Sequence, residues 1–245
     1  TNPQGLTELV NRFLSPMTDI IMDNEGTIDK YMGDCIMAFW NAPLDVEEQE
    51  KMAVKTSVEM YEGLETLNAE LESEGLLPIN IGVGINTGSV VVGNMGSDQR
   101  FDYSVLGDAV NLAARLEGQT KGYGVKTIIG SDTAKELGDD YAILEIDKIA
   151  VKGKTEGVTI YSVLGDFDWW NSNSHIAMES QQHDKMINMY RRKQFDHASL
   201  LCEQLRGCFL GQMTDYYDIW IDRCEEMKTK DLPEDWDGTY IATSK

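Results

Sequence analysis

The sequence predicts an α+β fold, with an antiparallel or mixed sheet, helices mainly on one face, and a helical C-terminal extension. Three observations predict it. Apolar residues recur at helical spacing in two long runs near the N-terminus. Short stretches of Val, Ile and aromatic residues, broken by Gly, lie between and after those runs. From about residue 180 the strand signals stop and helix formers take over.

Each element has its own signal. Over residues 4–24, Leu6, Leu9, Val10, Phe13, Leu14, Met17, Ile20 and Ile21 fall three and four apart, as one helix face requires. Pro16 lies inside this pattern and is expected to kink it. Residues 26–40 read as two short strands about a turn at Gly33-Asp34. Residues 46–74 form a second amphipathic helix, stopped by Gly75 and Pro78. Residues 79–93 are strand-like and 108–118 helical. Further strands are expected at 127–129, 142–151 and 158–164, with a short helix near 131–137. Residues 165–174 read as irregular, with Trp169 and Trp170 as packing anchors. Helical patterns follow at about 180–193, 195–205 and 209–228. A boundary near Gly165 gives two parts, 1–165 and a tail of 166–245. The tail resembles a tetratricopeptide-like helix pair and reads as a separable module.

Composition narrows the function. The 245 residues carry 42 Asp and Glu against 21 Lys and Arg, a net charge of −21. Such a surface repels phosphates of nucleic acid and anionic lipid, so general nucleic-acid or membrane-surface binding is excluded. An anionic substrate would need local basic residues or a metal. The four cysteines, Cys35, Cys202, Cys208 and Cys224, form no Cys-x-x-Cys pair, and the three histidines do not cluster with them. Free thiols in a reducing, cytoplasmic setting are expected. No apolar run is long enough to span a membrane, and no signal peptide is seen. The chain opens without Met and in mid-pattern, so it is expected to be part of a longer protein with an upstream sensor or membrane region.

Three segments carry chemistry. In Lys30-Tyr-Met-Gly-Asp34, a carboxylate on a tight turn could hold a hard cation such as magnesium; equally, Asp34 could simply cap a Gly-Asp turn. In the segment from Phe101 to Glu117, Asn111 and Arg115 lie four apart on one helix face. They could bind a ribose and a phosphate, since the planar guanidinium makes paired bonds to phosphate oxygens; a solvated helix face is the plain alternative. In Val151-Lys-Gly-Lys154, two lysines about a glycine could form an anion site or an ordinary turn.

In this order and spacing, together with Gly-Ile-Asn-Thr-Gly88, the segments resemble the catalytic domain of class III adenylyl and guanylyl cyclases, of bacterial type, over residues 4–164. The resemblance implies a ferredoxin-like, palm-type domain with a central, mostly antiparallel sheet. It implies that the enzyme converts ATP to 3′,5′-cyclic AMP and pyrophosphate in signal transduction, with two magnesium or manganese ions at each site. Asp34 matches one metal aspartate. Lys30 matches the base-reading lysine, and Ser104 stands where adenylyl cyclases carry Asp or Thr as its partner. Asn111 matches the residue that orients the ribose, and Arg115 the one that stabilises charge at the α-phosphate. Lys152 matches the lysine at the triphosphate end, and Arg100 lies near a phosphate-binding arginine. Guanylyl cyclases of the family use Glu and Cys where this chain has Lys30 and Ser104, so the pair favours ATP. Because the family divides these residues between subunits and this chain carries both sets, a homodimer with two sites is implied.

One departure is expected to matter. The family's first metal aspartate sits on an upstream strand that this sequence does not show. Asp19 reads as helix surface, and Asp19 or Asp29 would be the substitutes to test. The chain as given is therefore expected to bind ATP weakly at best and to form little or no cyclic AMP; a catalytically silent cyclase-homology domain is the main alternative, and a guanylyl cyclase the second. A diguanylate cyclase is excluded by the lack of its Gly-Gly-Asp/Glu-Glu-Phe signature.

Overall fold

The computed structural model describes residues 3–97, 99–150 and 157–240. It divides into two compact units: Thr1–Ile81 with Thr87–Leu112, and Gly82–Asn86 with Ala113–Lys245.

The first unit opens with helix α1 (Pro3–Asp23), which runs on through Pro16. Its Phe13 and Met17, one turn apart, meet Leu64, Leu67 and Leu71 of helix α2 (Gln49–Ser73) in a buried cluster. Apolar groups at three- and four-residue spacing are what let two helices seal one seam. Each such side chain, fully buried, is worth about 1.5–3 kcal/mol. Between the helices, β1 (Thr27–Met32) and β2 (Cys35–Phe39) form an antiparallel hairpin. Gly33 opens its turn at φ +68°, a conformation costly for a side chain with a Cβ. A second hairpin pairs β4 (Val91–Ser97) with β5 (Arg100–Leu106), from Val91 opposite Leu106 to Ser97 opposite Arg100.

The strand-like run expected at 79–93 is corrected here. It breaks into β3 (Val83–Ile85), which pairs parallel with β6 (Thr127–Gly130), and β4, which pairs with β5. Two short strands with different partners look like one apolar run in sequence.

The second unit is built on a four-stranded sheet of order β3-β6-β8-β7. Strand β8 (Val158–Asp166) runs antiparallel to both β6 and β7 (Tyr141–Ile149). All four residues of β6 are buried. Helix α3 (Asp108–Tyr123) lies so close over β3 that a Cβ on Gly84 would sit 2.2 Å from the Glu117 nitrogen. That approach is what the glycine of Gly-Ile-Asn-Thr-Gly88 provides. A short helix α4 (Ser131–Leu137) follows β6. The stretch expected to be irregular holds α5 (Phe167–Ser172), whose first turn is capped by the Asp166 carboxylate accepting from the Trp169 N–H. Trp169 packs over Gly165. The tail follows as α6 (Ile176–Arg191), α7 (Phe195–Leu205), a 3-10 turn at Phe209–Gly211, and α8 (Thr214–Lys228).

The tail shares its unit with the sheet, and buried polar groups tie the two together. Tyr216 donates to the Ile146 carbonyl at 2.7 Å, and His183 Nε2 meets the Glu145 carbonyl at 2.6 Å. Arg223 pairs with Asp147 at 2.5 Å. The division into 1–165 and 166–245 is one of family pattern, which the compact units do not follow. None of the four cysteines is in a disulfide. Among the described residues, no helix is long and apolar enough to cross a membrane.

Candidate active site

Strand β1 does not pair evenly with β2. Ile28 faces Ala38 and Lys30 faces Met37, so Asp29 is the extra residue of a bulge. A bulge bends its strand and re-aims the side chains around it. The Asp29 side chain is fully buried, and its Oδ2 accepts from the Ser104 hydroxyl at 2.8 Å and from the Val105 backbone N–H at 3.0 Å. Its Oδ1 accepts no well-directed hydrogen bond and faces the Lys30 ammonium at 3.3 Å. Lys30 and Ser104 are thus brought together on the two oxygens of one carboxylate. Ser104 is buried on β5 opposite Gly93, while the Lys30 side chain is 47% exposed and keeps donors for another partner.

Asp29 was not expected as the hub of this cluster. Its sequence signal is a carboxylate in the middle of a short mixed strand, and the bulge that buries it leaves no mark in composition. Its Oδ2 is engaged by Ser104 and Val105, and its Oδ1 faces the Lys30 ammonium. Asp19 is exposed on α1, as expected.

Asp34 is exposed at the tip of the β1–β2 hairpin. Among the described residues, no group of three or more His, Cys, Asp and Glu side chains is arranged to hold a metal ion. A lone exposed carboxylate does not fit a two-ion site, which needs several oxygen ligands around each ion.

Asn111 and Arg115 are exposed in the first half of α3, one turn apart on the same face. Arg115 makes no ion pair with a described residue, so its guanidinium is open to an anion. Arg100 opens β5 opposite Ser97; its side chain, like all of Lys152, lies outside the described residues.

Residues 1–165 match the family model described as the adenylate and guanylate cyclase catalytic domain. The chain is 29% identical over 164 residues to adenylate cyclase 1 of Rhizobium meliloti (strain 1021), covering 67% of this chain and 25% of that protein. It is 36% identical over 168 residues to an adenylate cyclase of Anabaena cylindrica, covering 66% of this chain and 32% of that one. This chain therefore spans a quarter to a third of those relatives' length. Among solved structures, the guanylyl cyclase Cya2 matches with a TM-score of 0.63 at 36% identity, over 70% of this chain and 86% of that one. The adenylyl cyclase CyaB from P. aeruginosa matches with a TM-score of 0.60 at 33% identity, over 66% and 84%.

Proposed function

This chain belongs to the adenylate and guanylate cyclase catalytic domain family, and from that premise we propose that it handles ATP and forms 3′,5′-cyclic AMP and pyrophosphate as a homodimer. Relatives of both base specificities are similar to it, so overall identity does not choose the base. The observation that carries the ATP reading is the exposed Lys30 ammonium held beside the Ser104 hydroxyl by Asp29. Adenine offers a ring nitrogen that accepts and an amino group that donates. Lys30 donates to the first, and a Ser104 lone pair accepts from the second. Guanine presents the opposite polarity at that edge.

The reaction joins the ribose 3′-oxygen to the α-phosphorus of the same molecule and breaks the bond to pyrophosphate. Nucleophile and electrophile are already tethered, so the protein's task is to fold the substrate into line. In this reading Asn111 orients the ribose by hydrogen bonds. Arg115 offers a preorganised fork to the phosphoryl oxygens as charge develops there. Lys152 and Arg100 are assigned to the outer phosphates. Catalysis in the family depends on divalent metal, and Asp34 is the residue assigned toward a magnesium or manganese ion. A single carboxylate does not complete a two-ion site, so no step is derived through metal.

With sites shared in a homodimer, Lys30 and Asp34 act from one subunit on a nucleotide also held by Asn111 and Arg115 of the other. The test is cyclic AMP formation by Asp34→Asn and Arg115→Ala, alone and mixed, in protein extended by an upstream strand that carries the first metal aspartate. Each alone is expected to lose turnover by about 100-fold or more. Mixing should recover part of it, because one site in each mixed dimer is intact. No recovery from mixtures shown to exchange subunits would refute the shared site. Robust GTP turnover with none from ATP would refute the base reading.

A further inference from the structure

We propose that Asp29 is a positioning residue for base choice: by taking the Ser104 hydroxyl proton, it leaves that hydroxyl able only to accept from the base. The inference rests on the ATP reading above. A serine hydroxyl by itself is ambivalent, with one donor and two lone pairs. It could give its proton to the exocyclic carbonyl oxygen of guanine as readily as it could accept from the amino group of adenine. Here the proton is committed. The Asp29 carboxylate has only acceptors, its Oδ2 lies 2.8 Å from Ser104 Oγ, and the side chain is fully buried. Bonds of this charge-assisted kind are about twice as strong as neutral ones. The carboxylate is itself fixed, because the same oxygen takes the Val105 N–H at 3.0 Å and the other faces Lys30 at 3.3 Å. Asp29 therefore orders both neighbours: Ser104 as an acceptor and Lys30 as a donor, the pairing complementary to adenine.

The test is titration of the 245-residue protein with MgATP and with MgGTP. In Asp29→Asn, the amide nitrogen can donate to Ser104 Oγ, which frees the hydroxyl proton for guanine. The ATP-to-GTP affinity ratio is expected to fall about tenfold, the scale of one hydrogen bond reversed. With Ser104→Ala already present, Asp29→Asn should leave the ratio unchanged, which a merely structural role would not predict. A wild-type chain that prefers ATP, but whose ratio ignores Asp29→Asn or shifts equally with Ser104→Ala, overturns this inference alone. A wild-type chain that prefers GTP, or binds neither nucleotide, overturns the ATP reading and this inference with it. Should Asp29→Asn not fold, Ser104→Ala decides. It is expected to weaken ATP about tenfold and leave purine riboside triphosphate, which lacks the amino group, unchanged. Equal weakening of both would overturn the inference.

Discussion

Two aspartates with buried side chains, one in each unit, are held in nearly the same way beside cations of very different exposure. Asp29 takes a serine hydroxyl, a backbone N–H and a lysine ammonium. Asp147 takes the Tyr123 hydroxyl at 2.6 Å, the Lys148 N–H at 2.8 Å and the Arg223 guanidinium at 2.5 Å. The difference lies in the cation. The Arg223 side chain is 8% exposed and is covered by the Tyr240 and Trp220 rings, with centroids 4.1 and 4.9 Å away. Lys30 has nearly half its surface in solvent. A sealed cation completes a fold; an open one, pinned at its base by a buried carboxylate, has donors left for a ligand. The chemistry of the two trios is alike, and the exposure of the cation is what sets them apart.

The comparison breaks most visibly if the sealed network is dispensable. Ending the chain at residue 165 removes Tyr216, Trp220 and Arg223, all buried in the second unit. It also strips the Glu145 and Ile146 carbonyls of His183 and Tyr216, and Asp147 of its guanidinium partner. We expect the truncated protein to lose its cooperative melt, followed by circular dichroism. A sharp transition near that of the full chain would show that the sheet stands without the tail.

A matched pair of substitutions sharpens the contrast. Arg223→Met should cost about 3–5 kcal/mol by urea denaturation, because it strands a buried carboxylate. Lys30→Met should cost about 1 kcal/mol or less, since a half-exposed pair is screened, while it weakens ATP. Equal losses would erase the distinction between the two networks.

A third test uses acid. Burial pushes the His183 imidazole down to about 4, against the weaker opposing pull of its bond to the Glu145 carbonyl. In the unfolded chain it titrates near 6.5. Between those values the unfolded state holds a proton that the folded state lacks. Stability from His183 is therefore whole above about pH 6.5 and is lost as the pH falls toward 4. The loss amounts to about 3 kcal/mol. His183 Nδ1 lies 2.8 Å from the Tyr217 hydroxyl and Nε2 lies 2.6 Å from the Glu145 carbonyl, so both bonds are made by the neutral ring. Urea midpoints of the wild type and His183→Gln between pH 7 and 4.5 should converge as the pH falls. A constant gap would contradict the assignment.

What the sequence made legible was local. The β1–β2 turn follows from Gly33-Asp34 between apolar flanks, and α3 follows from its helical spacing. The face shared by Asn111 and Arg115 needs only arithmetic on 3.6 residues per turn. The resemblance, read on four short motifs, named Lys30 and Ser104. What stayed hidden was non-local. Nothing in the run 79–93 says that its two halves pair with different strands, one of them parallel. The bulge that buries Asp29 is set by register against β2, and register is not written in composition. The tail's helical pattern gave its apolar faces but not their partner. A helix face that will pack on β7 looks the same as one that will pack on another helix. Leu210, at φ +55° in the 3-10 turn before α8, is a conformation that propensity alone would not assign to leucine.

If the open network reads adenine, reversing its polarity should change base preference. Lys30→Glu with Ser104→Cys installs the pair that guanylyl cyclases of the family use. Affinities for MgATP and MgGTP, measured by calorimetric titration for this variant and the wild type, give the ratio. The wild type is expected to favour ATP. The variant should lose about tenfold or more in that ratio, because unpaired polar groups at the base cost about 1–3 kcal/mol each. A ratio that the double substitution leaves unchanged would contradict the account, since Lys30 and Ser104 would then not touch the base at all.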